Sequence, residues 1–225
     1  GCQSGVVVTA SHNPKEYNGY KAYWADGAQV TPPHDKNIIA EVEKITSIDQ
    51  IELGKNPENI TILGKEFDEI YLARIKGLSM APEAVAKNHD MKIVYSPMHG
   101  AGVKLVPASL RNFGFTNIIM VEEQSIVDGN FPTVASPNPE ERATMSMAIE
   151  LARKEGAELV IATDPDADRI AIAVLDDKGE YVLLNGNQTM VLLLSYMLTR
   201  WGELGKLDGK QFVIKTIVTS EMVKA

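Results

Sequence analysis

The sequence predicts an α/β fold with mainly parallel strands, and three observations carry that prediction. Short Val- and Ile-rich runs alternate with helical patterns along the chain, the order that layers helices onto a sheet. Of its 225 residues, 44% are hydrophobic and 23% charged, which is the balance of a globular chain with a real core. The apolar runs GVVV at 5–8 and VLLL at 191–194 have the length of buried segments, far short of the roughly 20 residues of a membrane span.

Strands are expected at 6–9, 21–24, 92–95, 118–121, 159–162, 170–174 and 212–217, where β-branched and aromatic residues concentrate. A helix is expected over 32–45, with proline near its start. The stretch 65–76 sets Phe67, Tyr71 and Ile75 at i, i+4 and i+8, and 139–155 aligns Met145, Ala148, Ile149 and Ala152 in one stripe. Periodicity lapses between 76 and 91, around Pro82, and again at 183–187, after which 188–200 opens a further helix. These breaks divide the chain into 1–76, 77–186 and 187–225. Both ends read as cut: Gly1 runs straight into a strand, and KTIVTSEMVKA stops as a strand hands over to a helix.

A formal charge of −8 argues against general affinity for nucleic acid, which needs a surplus of Lys and Arg. The single cysteine, Cys2, rules out an internal disulfide and points to a reducing, cytoplasmic compartment.

The strongest local motif is DPDADR at 164–169, directly after the strand-like ELVIAT. In an extended segment, Asp164, Asp166 and Asp168 point broadly one way, and a divalent cation relieves their repulsion most cheaply. Hard oxygen donors suit Mg²⁺, and the end of a strand is where open α/β sheets hold ligands. A solvated acidic turn is the plain alternative. An EF-hand fits worse, because Arg169 and Leu175 stand where that loop needs Gly and Glu. Arg169 could grip a phosphate in bidentate fashion or simply pair with its neighbours.

TASHNP at 9–14 also follows a strand that is expected to be buried. Ser11 at a strand end suits a nucleophile or phosphate carrier, although Ser, Asn and Pro are ordinary turn residues as well. His12 could contact a phosphate or cap the turn. Lys21, in NGYK, could act as general acid or base or hold an oxyanion. A Ser-His-Asp hydrolase gains little support, since no G-x-S-x-G elbow surrounds Ser11. The turn-rich SPMHGAG at 96–102 and SPNPEE at 136–141 read as loops shaped by glycine and proline.

TASHNP, NGYK and DPDADR, in this order and at these separations, resemble the α-D-phosphohexomutases, the phosphoglucomutase and phosphomannomutase superfamily. YNGYKAYWADGAQVTPPHDKNI, SPMHGAGVK, VEEQSIVDGNFPTVASPNPEE and the GNQ opening at 186–188 extend the resemblance over nearly the whole chain, closest to the phosphoglucomutase-2-like branch. The resemblance implies three-layer α/β domains with mixed, mainly parallel sheets. Residues 1–76 would be the later part of a first domain, 77–186 the second and 187–225 the start of a third. It implies Ser11 as the phosphorylated serine, and Asp164, Asp166 and Asp168 with a phosphoserine oxygen as the Mg²⁺ ligands. Lys21 would move a proton, His12 would be a neighbouring active-site residue, and Arg169 would face the phosphoserine.

The implied reaction moves phosphate between C1 and C6 of a hexose through a sugar bisphosphate, glucose 1,6-bisphosphate for a glucose enzyme. Hexose phosphates are the implied partners, with no nucleic acid and no membrane. The segments that read the sugar and grip its distal phosphate have no counterpart in the sequence, so the chain alone is expected to have negligible mutase activity. Two other readings stand beside this one. A haloacid-dehalogenase-like phosphatase would use Asp164 as nucleophile and Asp166 as acid, but wants Thr or Val at Asp168 and leaves TASHNP unexplained. A non-catalytic module would bind only a metal, a sugar phosphate or a protein.

Overall fold

The structure is a computed structural model that describes residues 1–51, 54 and 56–224. The chain divides into two compact units, Gly1–Ala10 with Glu16–Phe67, and Ser11–Lys15 with Asp68–Ala225.

In the first unit, β1 (Ser4–Val8) and β2 (Tyr20–Trp24) form an antiparallel ribbon in which Val7 faces Lys21. The ribbon continues one step beyond β1, where the Thr9 amide donates to the Gly19 carbonyl at 3.1 Å. Sequence patterning implies a buried strand at 6–9, but Val6, Val7 and Val8 are exposed, Val8 by 71%. A two-stranded ribbon lacks the packed layers that would cover both of its faces. The helix expected over 32–45 is shorter, α1 (His34–Val42).

Gly19 is fitted to its strand neighbour, because a Cβ there would lie 2.0 Å from the Thr9 carbonyl oxygen. Gly19→Ala is therefore expected to separate the strand ends and cost roughly 2 kcal/mol, in the range of overpacking changes. Loss of slow amide exchange at Thr9 would register it; unchanged protection would refute it.

The second unit is a three-layer sandwich. Its helices are α2 (Lys65–Lys76, which begins in the first unit), α3 (Pro82–Lys87), α4 (Gly102–Phe113), α5 (Ser146–Glu155) and α6 (Gly186–Glu203). Its strands β3 (Ile93–Ser96), β4 (Ile118–Met120), β5 (Leu159–Thr163), β6 (Ile170–Leu175) and β7 (Tyr181–Leu184) form one mixed sheet in the order β4-β3-β5-β6-β7. The β4, β3 and β5 strands run parallel, while β6 and β7 complete the sheet as antiparallel hairpins.

Alternation along β3 separates two cores. Val94 joins Met145, Ala148, Ile149, Ala152 and Val160 on the α5 side. Ile93 and Tyr95 join Ile161, with Val106 of α4 packed against them, on the other. The stripe expected on the 139–155 helix is this α5 face, although the helix itself begins only at Ser146.

Other expectations meet the structure differently. Sequence patterning assigns no helix to 102–113; there α4 forms, burying Pro107 and keeping its helical course. It also assigns no strand to 181–184, where β7 forms the sheet edge. The strand expected at 212–217 is irregular backbone, since among the described residues no strand pairs with it. The helix expected at 188–200 is α6, which starts earlier: Asn185 and Gln188 cap it reciprocally, each side chain bonding the other's backbone. Arg200 of α6 ties back to the start of α3, its Nη2 donating to the Met80 carbonyl and to Glu83 Oε1, both at 2.7 Å. No described helix is long and apolar enough to cross a membrane.

Candidate active site

Register explains why chemistry collects at one sheet end. The parallel strands β3 and β5 pair Ser96 with Ala162, so the loops after Ser96 and after Thr163 leave the same edge side by side. This is the carboxyl end of the parallel strands, where open α/β sheets hold ligands.

The second loop carries the aspartates. An extended run is expected at 164–168, but the loop is a turn: the Ala167 amide donates to the Asp164 carbonyl at 2.9 Å, and Ala167 takes a left-handed φ of 58°. The turn still converges the three side chains. One carboxylate oxygen from each of Asp164, Asp166 and Asp168 lies within 4.8 Å of the others.

Ser11 and His12 belong to the same unit as these aspartates. Ser11 has a φ of 54°, an uncommon conformation for serine. Its hydroxyl donates to Asp164 Oδ2 at 3.2 Å and lies 3.3 Å from His12 Nδ1. Arg169 closes the group: its backbone amide donates to Asp164 Oδ1 at 3.0 Å, and its Nη1 lies 3.5 Å from His12 Nε2. Its Nε is 3.9 Å from Asp164 and 4.0 Å from Asp168. Six of the seven candidate residues thus gather at one place. Lys21 belongs to the other unit, half-buried on β2.

Residues 69–179 match the family described as phosphoglucomutase/phosphomannomutase, alpha/beta/alpha domain II, and residues 1–49 match alpha/beta/alpha domain I of the same family. The chain belongs to this phosphohexomutase family. It is 35% identical over 226 aligned residues to a phosphoglucomutase of Staphylococcus aureus, covering 99% of this chain and 39% of that protein. It therefore spans well under half the length of the curated relatives it matches. In fold it resembles a phosphomannomutase-like protein of Thermus thermophilus, with a TM-score of 0.70 and 23% identity over 88% of this chain and 41% of that one. It also resembles the Aspergillus fumigatus N-acetylphosphoglucosamine mutase solved with GlcNAc-6P and magnesium, with a TM-score of 0.54 and 15% identity over 91% and 49% of the two chains.

The donor set in this phosphohexomutase chain fits a hard divalent cation. Asp164 has no exposed surface, and its carboxyl is pushed up to about 6. Burial is the main cause; the amide of Arg169 opposes it, and Asp166 and Asp168 add to it. A cation among the three oxygens would reverse that balance and hold all three carboxylates charged. Asp164, Asp166 and Asp168 are the residues that would hold it, beside the Ser11 hydroxyl.

Two supports escape sequence patterning. The backbone of SPMHGAG lies directly against the aspartate loop, with the Ala101 amide donating to the Pro165 carbonyl at 2.8 Å. Ser136, in SPNPEE, donates to the His12 carbonyl at 3.4 Å. Beyond the family resemblance that both segments share in, residue patterning marks them only by a density of Gly and Pro, which signals loops without saying what they touch. A cavity of about 580 Å³ is lined by none of these site residues but by mainly apolar ones, among them Ile170, Leu193, Met197, Trp201 and Phe212.

Proposed function

We propose that this chain carries the phosphate-transferring half of a hexose-phosphate mutase, interconverting hexose 1-phosphate and hexose 6-phosphate, with glucose phosphates as the favoured pair. The observation that carries this reading is the Ser11 hydroxyl 3.2 Å from Asp164, inside a cluster of three carboxylates. A serine held there by a left-handed backbone is presented as a phosphate carrier, and Arg169 stands within reach of what it carries.

In the proposed cycle, phosphorylated Ser11 gives its phosphoryl group to the free hydroxyl of a hexose monophosphate. The Ser11 Oγ–P bond breaks, a P–O bond to the sugar forms, and Lys21 handles the hydroxyl proton. The resulting bisphosphate, glucose 1,6-bisphosphate for glucose, turns over and returns its other phosphate to Ser11. Arg169 neutralises charge on the transferring group and His12 orients it. Asp164, Asp166 and Asp168 would hold Mg²⁺, which would supply further positive charge there. Residues 1–76, 77–186 and 187–225 form the later part of a first domain, a second domain and the beginning of a third. The protein works in the cytoplasm. The magnesium and GlcNAc-6P complex of the Aspergillus neighbour and the family match support this reading.

Incubating the chain with glucose 1,6-bisphosphate labelled in both phosphates tests it. Label is expected on Ser11, and none on the Ser11→Ala variant. Label on Asp164 would replace the mutase reading with a phosphatase. Turnover of glucose 1-phosphate by the chain alone is expected to be negligible, because binding energy from remote parts of the substrate drives such transfers and the chain spans 39% of its relatives' length.

A further inference from the structure

Beside the aspartate loop lies a buried polar cluster that the proposed reaction leaves unused. Ser96, His99 and Gln124 are all at most 2% exposed, and Thr133 is half-buried next to them. Buried polar groups persist only where their bonds are made, and these form one directed series. Ile126 contributes a carbonyl 2.8 Å from His99 Nδ1. A carbonyl only accepts, so Nδ1 carries a proton and donates. His99 Nε2 is hydrogen-bonded to the Thr133 hydroxyl, 2.8 Å away. The Thr133 oxygen accepts from Gln124 Nε2 at 3.1 Å, and Gln124 Oε1 accepts from the Ser96 hydroxyl at 2.6 Å. Ser96 Oγ in turn accepts from the Met98 amide at 3.1 Å.

The series returns to the loop it started from, and that loop needs support. Met98 and His99 both have left-handed φ values, 48° and 62°, which non-glycine residues adopt at a cost. The His99 amide donates to the Gln124 carbonyl at 2.8 Å, and the Asp128 amide to the His99 carbonyl at 3.2 Å. The next residues form the contact with the aspartate loop: a Cβ on Gly100 would lie 2.2 Å from Pro165 Cα, and the Ala101 amide donates to Pro165.

We propose that His99 is a positioning residue for the metal loop: through Thr133 and Gln124 it holds Gly100 and Ala101 against Pro165, and so sets the spacing of Asp164, Asp166 and Asp168. The inference rests on the reading that these aspartates hold a divalent cation. Groups that orient metal ligands without touching the metal typically change affinity by roughly 10- to 100-fold when altered.

The test titrates Mn²⁺ by electron paramagnetic resonance into the 225-residue chain and follows amide exchange at Ala101 by NMR. Thr133→Val removes the hydroxyl while keeping the shape; it is expected to weaken Mn²⁺ binding by about tenfold and to speed Ala101 exchange by a similar factor. Thr133→Ser restores the hydroxyl and is expected to recover both. Tyr181→Phe removes a buried bond to the Ala157 carbonyl at the opposite end of the strands and is expected to change neither. A folded Thr133→Val variant with wild-type Mn²⁺ affinity and wild-type Ala101 protection overturns the inference, as does Tyr181→Phe acting equally on both. Absence of Mn²⁺ binding in the wild type would sink the reading of the aspartates, and Ala101 exchange would still decide whether His99 and Thr133 hold the loop.

Discussion

Asp166→Asn is expected to weaken Mg²⁺ binding by two orders of magnitude or more while leaving the metal-free protein as stable as before, or more so. The two effects have opposite signs because Asp166 is a repelling neighbour without metal and a ligand with it. At an effective dielectric near 20, a unit charge pair about 4 Å apart is worth roughly 4 kcal/mol. Losing even about 2.8 kcal/mol of that is a hundredfold in affinity. Without metal, burial raises the Asp164 carboxyl to about 6, and a hydrogen bond with Asp166 and then the Asp166 charge add to it, so removing that charge lets Asp164 ionise more easily. Thermal denaturation with and without Mg²⁺ measures both. At a concentration one hundred times the dissociation constant, Mg²⁺ adds about 2.7 kcal/mol to the wild type, a rise of roughly 5–10 °C for a chain of this size. The variant is expected to show almost none of that rise. An equal shift in wild type and variant would rule out Asp166 as a ligand.

Gly100→Ala is expected to be the most damaging single methyl in the second unit. Its Cβ would lie 2.2, 2.4 and 2.6 Å from the Cα, carbonyl oxygen and carbonyl carbon of Pro165. These are backbone atoms of the aspartate loop and cannot rotate away, so one of the two loops must move. Overpacking of this kind costs about 3 kcal/mol, a fall in Tm of roughly 6–12 °C. Because the displaced segment bears Asp164 and Asp166, Mg²⁺ affinity is expected to fall as well. Calorimetric melting and Mg²⁺ titration read the two effects. A variant that melts within 2 °C of the wild type and binds Mg²⁺ normally would show that the loops are not in the close contact described.

The two halves of the site differ in how visible they are in the sequence. DPDADR is a local motif: carboxylates two residues apart can converge whichever way the segment bends, so Asp164, Asp166 and Asp168 stand out even though an extended run is expected and a turn forms. Ser11 is weaker alone, because Ser-His-Asn-Pro is ordinary turn chemistry. Its hydrogen bond to Asp164 spans 153 residues, and no periodicity reaches that far. The α/β alternation was legible because strands β3 to β6 concentrate β-branched residues that the core needs, whereas β7 carries only Val182. No helix is expected at 102–113, yet α4 forms there with Pro107 in its interior. The segment 212–217 carries strand-like composition but, among the described residues, has no strand paired with it, and composition does not supply a partner.

Residue identity alone determined the α/β class, the acidic loop and its donor chemistry, the serine-bearing turn and the acidic net charge. The loop and the turn depend on side chains within a few positions of one another, and the class and the charge on composition and order. Tertiary structure decided the complete burial of Asp164, the seating of Ser11 on it, the backbone contact of Gly100 with Pro165 and the closed series of bonds through His99. Those features arise because parallel strands β3 and β5 bring the ends of distant segments to one edge, where desolvation and close approach act between residues that the chain itself keeps far apart.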